Sequence, residues 1–430
     1  MSEMSGPDDR NVTPVAGRRF ARWRTRRVAI VAAVALVFLA GGVVAVLTLG
    51  GDGGLPAPRV LDHDPVPAER HRATLPADCG VTATTLSAIT PHPELQRDGT
   101  AGECEWYWAA TGKHGSRRLT VRLSIVRAGA GVPNARSRGN SSVAAAIDIF
   151  SAAAKERGSA HPSAVAGLGD ESFTYSERHD MRTVVFRAGN VIANAQYTAE
   201  GFTTKLKNRP LSDARKRAGV FRAAADVARA LGAPAKPELR RAPSPRAAPT
   251  LPESACDPAS EGLRERLLGD DADSNSGESD PLNPAAASTG GSARSCTWLG
   301  NGREITIAFS SAKPTGLGAP VADARREYLR RYLDARAEKP ISAHDERYFH
   351  ALSGLGDQAF CAYVDESVLP GISARGAARV SARAGGVLVT VTYGNTSGGY
   401  DDDDAEPLSR TDAVNGAYAV AVRAVRAARG

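Results

Sequence analysis

A short motif, Gly-Leu-Gly-Asp followed by Glu or Gln, occurs at residues 167–171 and again at residues 354–358. Similar residues surround both copies in the same order. Because ordered self-similarity of this kind marks a repeated structural unit, the chain is predicted to contain two tandem modules that share one fold and one strand order.

Further features recur around the motif in each module, and they fall in the same sequence order both times. For the first and second module they are Leu-Pro (75–76; 251–252), a cysteine pair that ends in Cys-x-Trp (Cys79, Cys104 and Trp106; Cys256, Cys296 and Trp298), Arg-Ala-Gly-x-Val (187–191; 383–387), a tyrosine (Tyr197; Tyr393) and Leu-Ser before an Ala-rich helical pattern (211–212; 408–409). We expect these shared residues to serve folding, and the loops to carry the differences between the modules.

The motif itself is interpreted as a turn that enters a strand. Glycine adopts the positive φ angles that tight turns need, and an aspartate side chain bonds back to nearby backbone amides. A phosphate-binding loop is the alternative, but it would require Gly-Lys-Ser/Thr and a following helix. Neither feature accompanies the two copies.

The cysteine positions predict one disulfide in each module, Cys79 with Cys104 and Cys256 with Cys296. Such bridges form in oxidising compartments outside the cytosol, and each would contribute about 3–4 kcal/mol to stability in the chain-entropy model. Zinc binding is the alternative, but Cys-x-x-Cys spacing and nearby histidine partners are missing.

The tryptophans and the fifth cysteine each have a structural and a functional interpretation. The tryptophan of each Cys-x-Trp is expected to pack on its disulfide, with an aromatic ligand platform as the alternative. Cys361 has Thr174 as its counterpart and is therefore left over. A buried inert thiol is the preferred interpretation, and a reactive thiol the alternative.

The N-terminal region is predicted to anchor the chain in a membrane. Residues 1–27 carry seven arginines against three acidic residues, and residues 28–49 are uncharged throughout. As a helix, the second stretch is long enough to cross the ~30 Å hydrocarbon core. Since positive charge keeps the preceding end inside the cell, residues 1–27 should be cytoplasmic and the modules extracytoplasmic. A cleaved signal peptide is the alternative, although its apolar core is normally shorter.

Composition divides the remainder into a spacer, two modules and a linker. The predicted boundaries are 50–74 for the spacer, 75–232 for the first module, 233–250 for an extended Pro-rich linker and 251–430 for the second module. Each module shows the order α-β-β-α-β-β-β-α. Short connections imply an antiparallel sheet, so the predicted class is α+β, with about five strands in each sheet and helices covering them.

Two finer expectations follow from this organisation. The Cys-x-Trp strand should pack against the strand that follows the motif or against that strand's neighbours. Loops should differ most between the modules at 270–294, which contains the acidic insert 270–280 of the second module, and at 395–407, which contains the acidic run 401–404.

Charge argues against a nucleic-acid partner for the modules. The formal net charge is +7, and residues 1–27 contribute +4 of it, which leaves +3 for the rest of the chain. The basic arm alone could contact anionic lipid or nucleic acid.

No sequence pattern selects a catalytic, cofactor or metal site. The acidic run 270–277 resembles the start of a calcium loop, but it lacks the glycine and glutamate required at the sixth and twelfth positions. It is interpreted as a solvated loop, as is the run 401–404. The eight histidines show no metal-ligand spacing, and Gly-x-Ser-x-Gly, His-Glu-x-x-His and a Walker lysine loop are absent from the sequence. No cofactor, and no enzymatic activity, is therefore expected.

Taken together, the cysteine pairs, Cys-x-Trp, Gly-Leu-Gly-Asp, the strands after it and the Ala-rich terminal helix resemble an actinobacterial family of extracytoplasmic lipoproteins and membrane-anchored proteins. That family is akin to PsbP-like and LpqN-like lipoprotein folds and to external sensor domains of serine/threonine kinases. The resemblance covers both modules and implies a fold, but no catalytic residues. This chain differs from the lipoproteins in lacking a lipid-modified cysteine, and from the kinases in its short cytoplasmic arm.

The sequence thus predicts a single-pass protein of the cell membrane with a binding or accessory role in the cell envelope. Its partners would be the membrane, through residues 28–49, and a small-molecule, lipid or envelope-protein ligand of the modules. A structural envelope component and an envelope enzyme of unrecognised type are the alternatives.

Overall fold

The computed structural model describes residues 55–90, 92–98, 102–109, 116–129, 141–157, 161–178, 181–199, 211–240, 249–269, 292–312, 314–338, 348–366, 375–395 and 408–430. Residues 55–430 form one compact unit. The predicted cytoplasmic arm 1–27 and membrane helix 28–49 lie outside the described residues, as do most of the loops 270–294 and 395–407. Within the described ranges, no helix is long and apolar enough to cross a membrane.

The first module is built on an eight-stranded antiparallel sheet. Its strands are β1 (Glu94–Asp98), β2 (Glu103–Ala109), β3 (Ser116–Ile125), β4 (Ser163–Leu168), β5 (Glu171–Arg178), β6 (Met181–Ala188), β7 (Val191–Ala199) and β8 (Ala235–Leu239). Its helices are α1 (Ala83–Ile89), α2 (Ser142–Glu156) and α3 (Asp213–Ala230), after a 3-10 turn at Ala77–Gly80. The strand order across the sheet is β1-β2-β3-β7-β6-β5-β4-β8.

The second module is built on a six-stranded antiparallel sheet. Its strands are β9 (Ala293–Gly300), β10 (Arg303–Ser311), β11 (Tyr348–Leu352), β12 (Gln358–Glu366), β13 (Arg375–Ala384) and β14 (Val387–Asn395). Its helices are α4 (Glu261–Leu268), α5 (Pro320–Ala337) and α6 (Arg410–Arg429). The strand order is β11-β12-β13-β14-β10-β9.

The two sheets share a core of six strands in one order. The run β2-β3-β7-β6-β5-β4 in the first sheet corresponds to β9-β10-β14-β13-β12-β11 in the second. The α+β class and the antiparallel sheets agree with the sequence prediction, but the expected size of about five strands per sheet is wrong. The sheets have eight and six strands, because each module has a strand before the motif and the first module adds β1 and β8.

The additional strands have weak sequence signals for a physical reason. Strands β1 and β8 lie at the edges of the first sheet, where a strand needs little apolar alternation and charged or proline residues are favoured. Accordingly β1 reads Glu-Leu-Gln-Arg-Asp and β8 reads Ala-Lys-Pro-Glu-Leu. Strand β8 occupies part of the stretch 233–250, for which the sequence predicted a linker.

The Cys-x-Trp strand does not lie where it was expected. Strands β3, β7 and β6 separate β2 from β5, the strand that follows the motif. The expectation that β2 packs against β5 or against a neighbour of β5 was wrong, because β3 pairs with β7 and the hairpin β4–β5 lies toward the opposite edge of the sheet.

Helices cover both faces of each sheet. In the first module α3 packs on one face and α2 on the other, and in the second module α6 and α5 do the same. Alternation along β7 produces this arrangement, since Ala193 and Ala195 belong to the core under α3, whereas Ile192 contacts the aromatic cluster next to α2. The fold is therefore helix, sheet, helix in each module.

The modules meet through their equivalent helices. Helices α2 and α5 each follow the second shared strand of a module, and they pack against one another. Val143 and Ile147 of α2 share one buried cluster with Tyr328 and Tyr332 of α5. This contact between α2 and α5, with the residues around it, is called the seam below.

Candidate functional site

The first copy of the motif forms a compact polar network at the turn between β4 and β5. The backbone N–H of Asp170 donates to the carbonyl of Arg187 at 2.7 Å. In return, Asp170 Oδ2 accepts from the backbone N–H of Gly189 at 2.7 Å and from Arg187 Nη1 at 3.1 Å. Arg187 Nε also donates to Glu171 at 3.3 Å. The motif therefore ties the β4–β5 turn to the β6–β7 turn.

The second copy repeats this network bond by bond. The N–H of Asp357 donates to the Arg383 carbonyl at 2.7 Å, and Asp357 Oδ2 accepts from the N–H of Gly385 at 2.8 Å and from Arg383 Nη1 at 3.0 Å. Arg383 Nε donates to Gln358 Oε1 at 3.2 Å. In both copies the aspartate carboxylate accepts hydrogen bonds from a backbone N–H and from an arginine of the same module. The motif is therefore the structural turn that the sequence predicted.

A second repeated device joins each sheet to its helices. Tyr197 donates its hydroxyl hydrogen to the carbonyl of Ile89 at 2.6 Å, and Tyr393 donates to the carbonyl of Leu267 at 2.8 Å. Gly219 and Gly416 provide the space for these rings, because a Cβ at either position would collide with the tyrosine. The sequence pattern identified the tyrosines but not these glycines.

Both predicted disulfides are present. Cys79 bonds to Cys104 with a Cα–Cα distance of 6.1 Å, and Cys256 bonds to Cys296 with a Cα–Cα distance of 5.2 Å. Trp106 and Trp298 are buried in the same cores as their bridges. Cys361 is a buried free cysteine, and burial raises the pKa of its thiol to about 12.

Charged groups from both modules meet in the seam. Arg326 of α5 donates from Nε to Glu171 at 2.5 Å and from Nη1 to Asp323 at 2.7 Å. Burial alone would lower the pKa of Arg326, but the carboxylates of Glu171 and Asp323 raise it above its usual value. Glu171 thus receives an arginine from each module, since Arg187 also donates to it.

A second ion-pair cluster lies between α2 and α5. Glu327 accepts from Arg330 and Arg331, at 2.8 Å in each case. Burial by itself would raise the pKa of Glu327, yet these two arginines hold it at about 2. Asp148 of α2 lies 3.3 Å from Arg330, and its pKa is raised to about 6 by burial, with Glu327 adding to the rise and Arg330 opposing it.

Residues 55–72, called the strap below, run from the second module to the first. In the second module, the N–H of Leu61 donates to the Ala351 carbonyl at 2.9 Å, and the N–H of Ser353 donates to the Arg59 carbonyl at 2.8 Å. The strap therefore continues the second sheet beyond β11. This part of the chain, which lies within the spacer 50–74 that the sequence predicted, therefore contacts the second module.

The middle of the strap lies against α5. Asp64 accepts from the Tyr332 hydroxyl at 2.6 Å and from Arg336 Nη1 at 2.7 Å. Although burial would raise the pKa of Asp64, these hydrogen bonds lower it. Arg336 also donates to Glu69 at 3.1 Å, so one arginine of the second module holds two strap carboxylates.

The end of the strap is bound to the first module. Arg70 donates to Asp170 at 2.6 Å and to the carbonyl of Gly232 at 2.7 Å. The side-chain amide of Asn190 exchanges two hydrogen bonds with the backbone of Arg72, at 2.7 and 3.1 Å. The strap thus reaches the first Gly-Leu-Gly-Asp network and the β6–β7 turn next to it.

Where the strap crosses from α5 to α2, it brings a carboxylate and an imidazole to a serine. His71 Nδ1 lies 2.9 Å from the hydroxyl oxygen of Ser142, the first residue of α2. His71 Nε2 lies 3.2 Å from Glu69 Oε2. The same carboxylate accepts from the hydroxyl of Ser141 at 2.8 Å.

The sequence did not identify Glu69, His71 or Ser142, because seventy residues separate the strap from α2 and their approach depends on tertiary structure. One signal was available. The strap has a dense mixture of both charges, Asp62-His63-Asp64 and Glu69-Arg70-His71-Arg72, which is unusual for a flexible Gly-rich spacer. Among the residues that the structure describes, no group of three or more His, Cys, Asp or Glu side chains is arranged to hold a metal ion.

Comparisons with known proteins identify no family for this chain. No protein-family model matches it, and no curated protein does. A solved structure, the di-domain ARO/CYC StfQ from the steffimycin biosynthetic pathway, aligns over 81% of this chain and 94% of its own, with 8% sequence identity and a TM-score of 0.12. A likeness at that TM-score carries no argument about fold or function.

Proposed function

We propose that this chain is a single-pass, membrane-anchored protein of the extracytoplasmic space with a binding or accessory role in the cell envelope. The observation that carries the proposal is the pair of disulfides, one at the equivalent position of each module. Bridges of this kind persist in oxidising compartments and are rare in the cytosol. The resemblance to actinobacterial extracytoplasmic proteins points the same way.

The anchor in this proposal is the stretch 28–49, which follows the arginine-rich arm 1–27. Only residues 50–54 separate that stretch from the strap. We therefore expect membranes washed with alkaline carbonate to retain the full chain, and to release a variant that lacks residues 1–49. A mature protein in the medium whose N-terminus lies beyond residue 45 would contradict the anchor.

Binding is favoured over a purely mechanical role by the way the two modules differ. The shared residues form turns, bridges and cores, whereas the modules differ in their polar loops, of which the second module carries the acidic stretches within 270–294 and 395–407. Divergence around a retained scaffold is how sites acquire different ligands on one fold.

The binding proposal is tested by mass spectrometry of molecules that copurify with residues 55–430. The fragment must begin at residue 55, because a fragment that begins at 75 would lose the strap and expose the seam. A fragment of the same length carrying Arg70→Ala and Arg336→Ala, which weakens strap contacts, is the control for nonspecific capture. Recovery of no lipid, small molecule or envelope protein above a mock purification would contradict a binding role.

A further inference from the structure

Glu69, His71 and Ser142 form a continuous chain of a carboxylate, an imidazole and a hydroxyl. The two links measure 3.2 Å, from Glu69 Oε2 to His71 Nε2, and 2.9 Å, from His71 Nδ1 to Ser142 Oγ. A nucleophile within hydrogen-bond reach of a base, with the base oriented by a third group, is the arrangement that activates a serine. The imidazole is turned so that Nδ1, and not Nε2, faces the serine.

The partners of Glu69 determine which ring nitrogen carries the proton. Glu69 accepts from Arg336 at 3.1 Å and from the Ser141 hydroxyl at 2.8 Å, so both of its carboxyl oxygens act as hydrogen-bond acceptors. It therefore takes the N–H of His71 Nε2. The lone pair of Nδ1 is then directed at the Ser142 hydroxyl, where it can accept the proton as a general base.

The helix cap leaves the Ser142 hydroxyl available for chemistry. The N-cap of α2 is Ser141, whose hydroxyl oxygen accepts from the N–H of Ala144 at 3.1 Å. Ser142 is the next residue and is not needed for capping. It stands at the positive end of the dipole of a 15-residue helix, which favours developing negative charge.

The hydrogen-bonded residues Glu69, His71 and Ser142 are accessible to solvent from the side of the strap. The His71 side chain is 54% exposed, whereas Ser142 is only 9% exposed. A substrate would therefore approach over the imidazole, and the leaving group would depart toward solvent.

We propose that Ser142 is the nucleophile of an acyl-transfer site for carboxylic esters, with His71 as its general base and Glu69 as the residue that positions the imidazole. Ser142 Oγ bonds to the ester carbonyl carbon while its proton passes to His71 Nδ1. The bond from carbon to the alkoxy oxygen breaks, and the leaving alcohol takes that proton. Water then attacks the acyl-serine, gives a proton to His71, and releases the carboxylic acid as the proton returns to Ser142.

This activity goes beyond the proposed binding role. Ser142 is distant in sequence from Glu69 and His71, and the three residues come together only in the folded protein. The strap supplies the base and the carboxylate, the first module supplies the serine, and Arg336 of the second module holds the carboxylate. The site therefore exists only when the strap lies across the seam, and its residues have no sequence motif of serine hydrolases around them.

A fluorophosphonate probe tests the proposal on the purified full-length protein, with peptide mass spectrometry to locate the adduct. We expect the probe on Ser142 and slow hydrolysis of p-nitrophenyl acetate. His71→Gln should lower the labelling rate at least about tenfold. The matched control is His63→Gln, which removes the other strap histidine and should label like the wild type.

Glu69→Gln tests the positioning role through a readout that folding alone would not move. It should shift the pH profile of labelling and lower the rate while the melting temperature stays near that of the wild type. If Ser142→Ala fails to fold, the site of the adduct in the wild type decides the matter. A folded protein that takes no probe on Ser142, or labelling that His71→Gln leaves unchanged, would overturn the assignment.

Discussion

Glu171 of β5 and Arg326 of α5 lie 2.5 Å apart and join the two modules across the seam. The motif position of Glu171 is occupied by Gln358 in the second module, where the side chain accepts from Arg383 of its own module. This difference between two otherwise equal networks has a physical reason. The carboxylate is present where a second arginine, from the other module, must be neutralised.

Glu171→Gln should destabilise the protein, because Arg326 and Arg187 would lose a shared charged acceptor. We expect a loss of about 1–3 kcal/mol in the free energy of unfolding, measured by urea denaturation without reductant. Gln358→Glu is the matched control and should change stability by less than about 0.5 kcal/mol. A double-mutant cycle with Arg326→Gln should give a coupling energy above about 0.5 kcal/mol, and a cycle without coupling would contradict the role of this pair.

Much of the fold can be predicted from the periodicity of apolar residues and from the residues that begin or end helices and strands. Strands β10 and β14 show alternating apolar residues in the sequence, and α2 and α6 each begin directly after a serine whose side chain caps the helix. The motif strands β4 and β11 were missed, since Ser-Ala-Val-Ala-Gly-Leu has few large β-forming residues and Tyr348–Leu352 is only five residues long. These strands are stabilised by pairing with a neighbouring strand, and local sequence signals do not reveal that pairing.

The site was less predictable than the fold. Asp170 and Arg187 are parts of two separate motifs, and the repeat alone shows that both recur, but not that they bind each other. Glu69, His71 and Ser142 come together because the strap packs across α5 and α2. Such contacts depend on docking of whole modules, for which neither periodicity nor local propensity carries information.

The two glycines of the second motif allow the cost of a left-handed backbone to be compared with the cost of a steric collision. Gly354 and Gly356 both have positive φ, of 75° and 66°, but a Cβ has open space at Gly354 and collides with the Arg383 carbonyl at Gly356. Gly356→Ala should therefore destabilise the protein by more than Gly354→Ala, which costs only the roughly 1 kcal/mol of the left-handed conformation. Urea denaturation of the two variants measures the difference.

The first module provides the control for that comparison. Gly167 has φ of 69° and is equivalent to Gly354, yet its Cβ would collide with the carbonyl of Lys236 in β8. Gly167→Ala should thus resemble Gly356→Ala and not Gly354→Ala. Equal effects at 167 and 354 would show that β8 does not approach the motif closely.

The thiol of Cys361 should not react with alkylating reagents in the folded protein. It lies in the second core, fully buried, and burial raises the pKa of its thiol to about 12. Since the thiolate is the reactive form, we expect iodoacetamide to modify no cysteine of the native chain at pH 8 and only Cys361 after unfolding without reductant. Cys361→Ser should then show no modification in either state, and labelling of the native wild type would contradict the burial.

Asp148 and Glu327 should give the stability of the protein opposite dependences on pH. The pKa of Glu327 is lowered in the folded state to about 2, so its contribution is complete above its unfolded value near 4.5 and is lost as pH falls through 2. The pKa of Asp148 is raised to about 6, so its contribution is complete below 3.8 and is lost as pH rises through 6. At neutral pH the first group stabilises the seam and the second destabilises it.

Two variants separate these effects in urea denaturation at pH 3, 5 and 7. Glu327→Gln should lower the free energy of unfolding at pH 7 by about 3 kcal/mol. The loss should be smaller at pH 3, because Glu327 is then mostly protonated in the unfolded chain and the wild type must release that proton on folding. Asp148→Asn should be neutral at pH 3 and stabilising at pH 7. Its gain should be modest, since the Asp148 side chain is 39% exposed and solvent screens its charge. A loss of stability in Asp148→Asn at pH 7 would show that its pairing with Arg330 outweighs the cost of burying its charge.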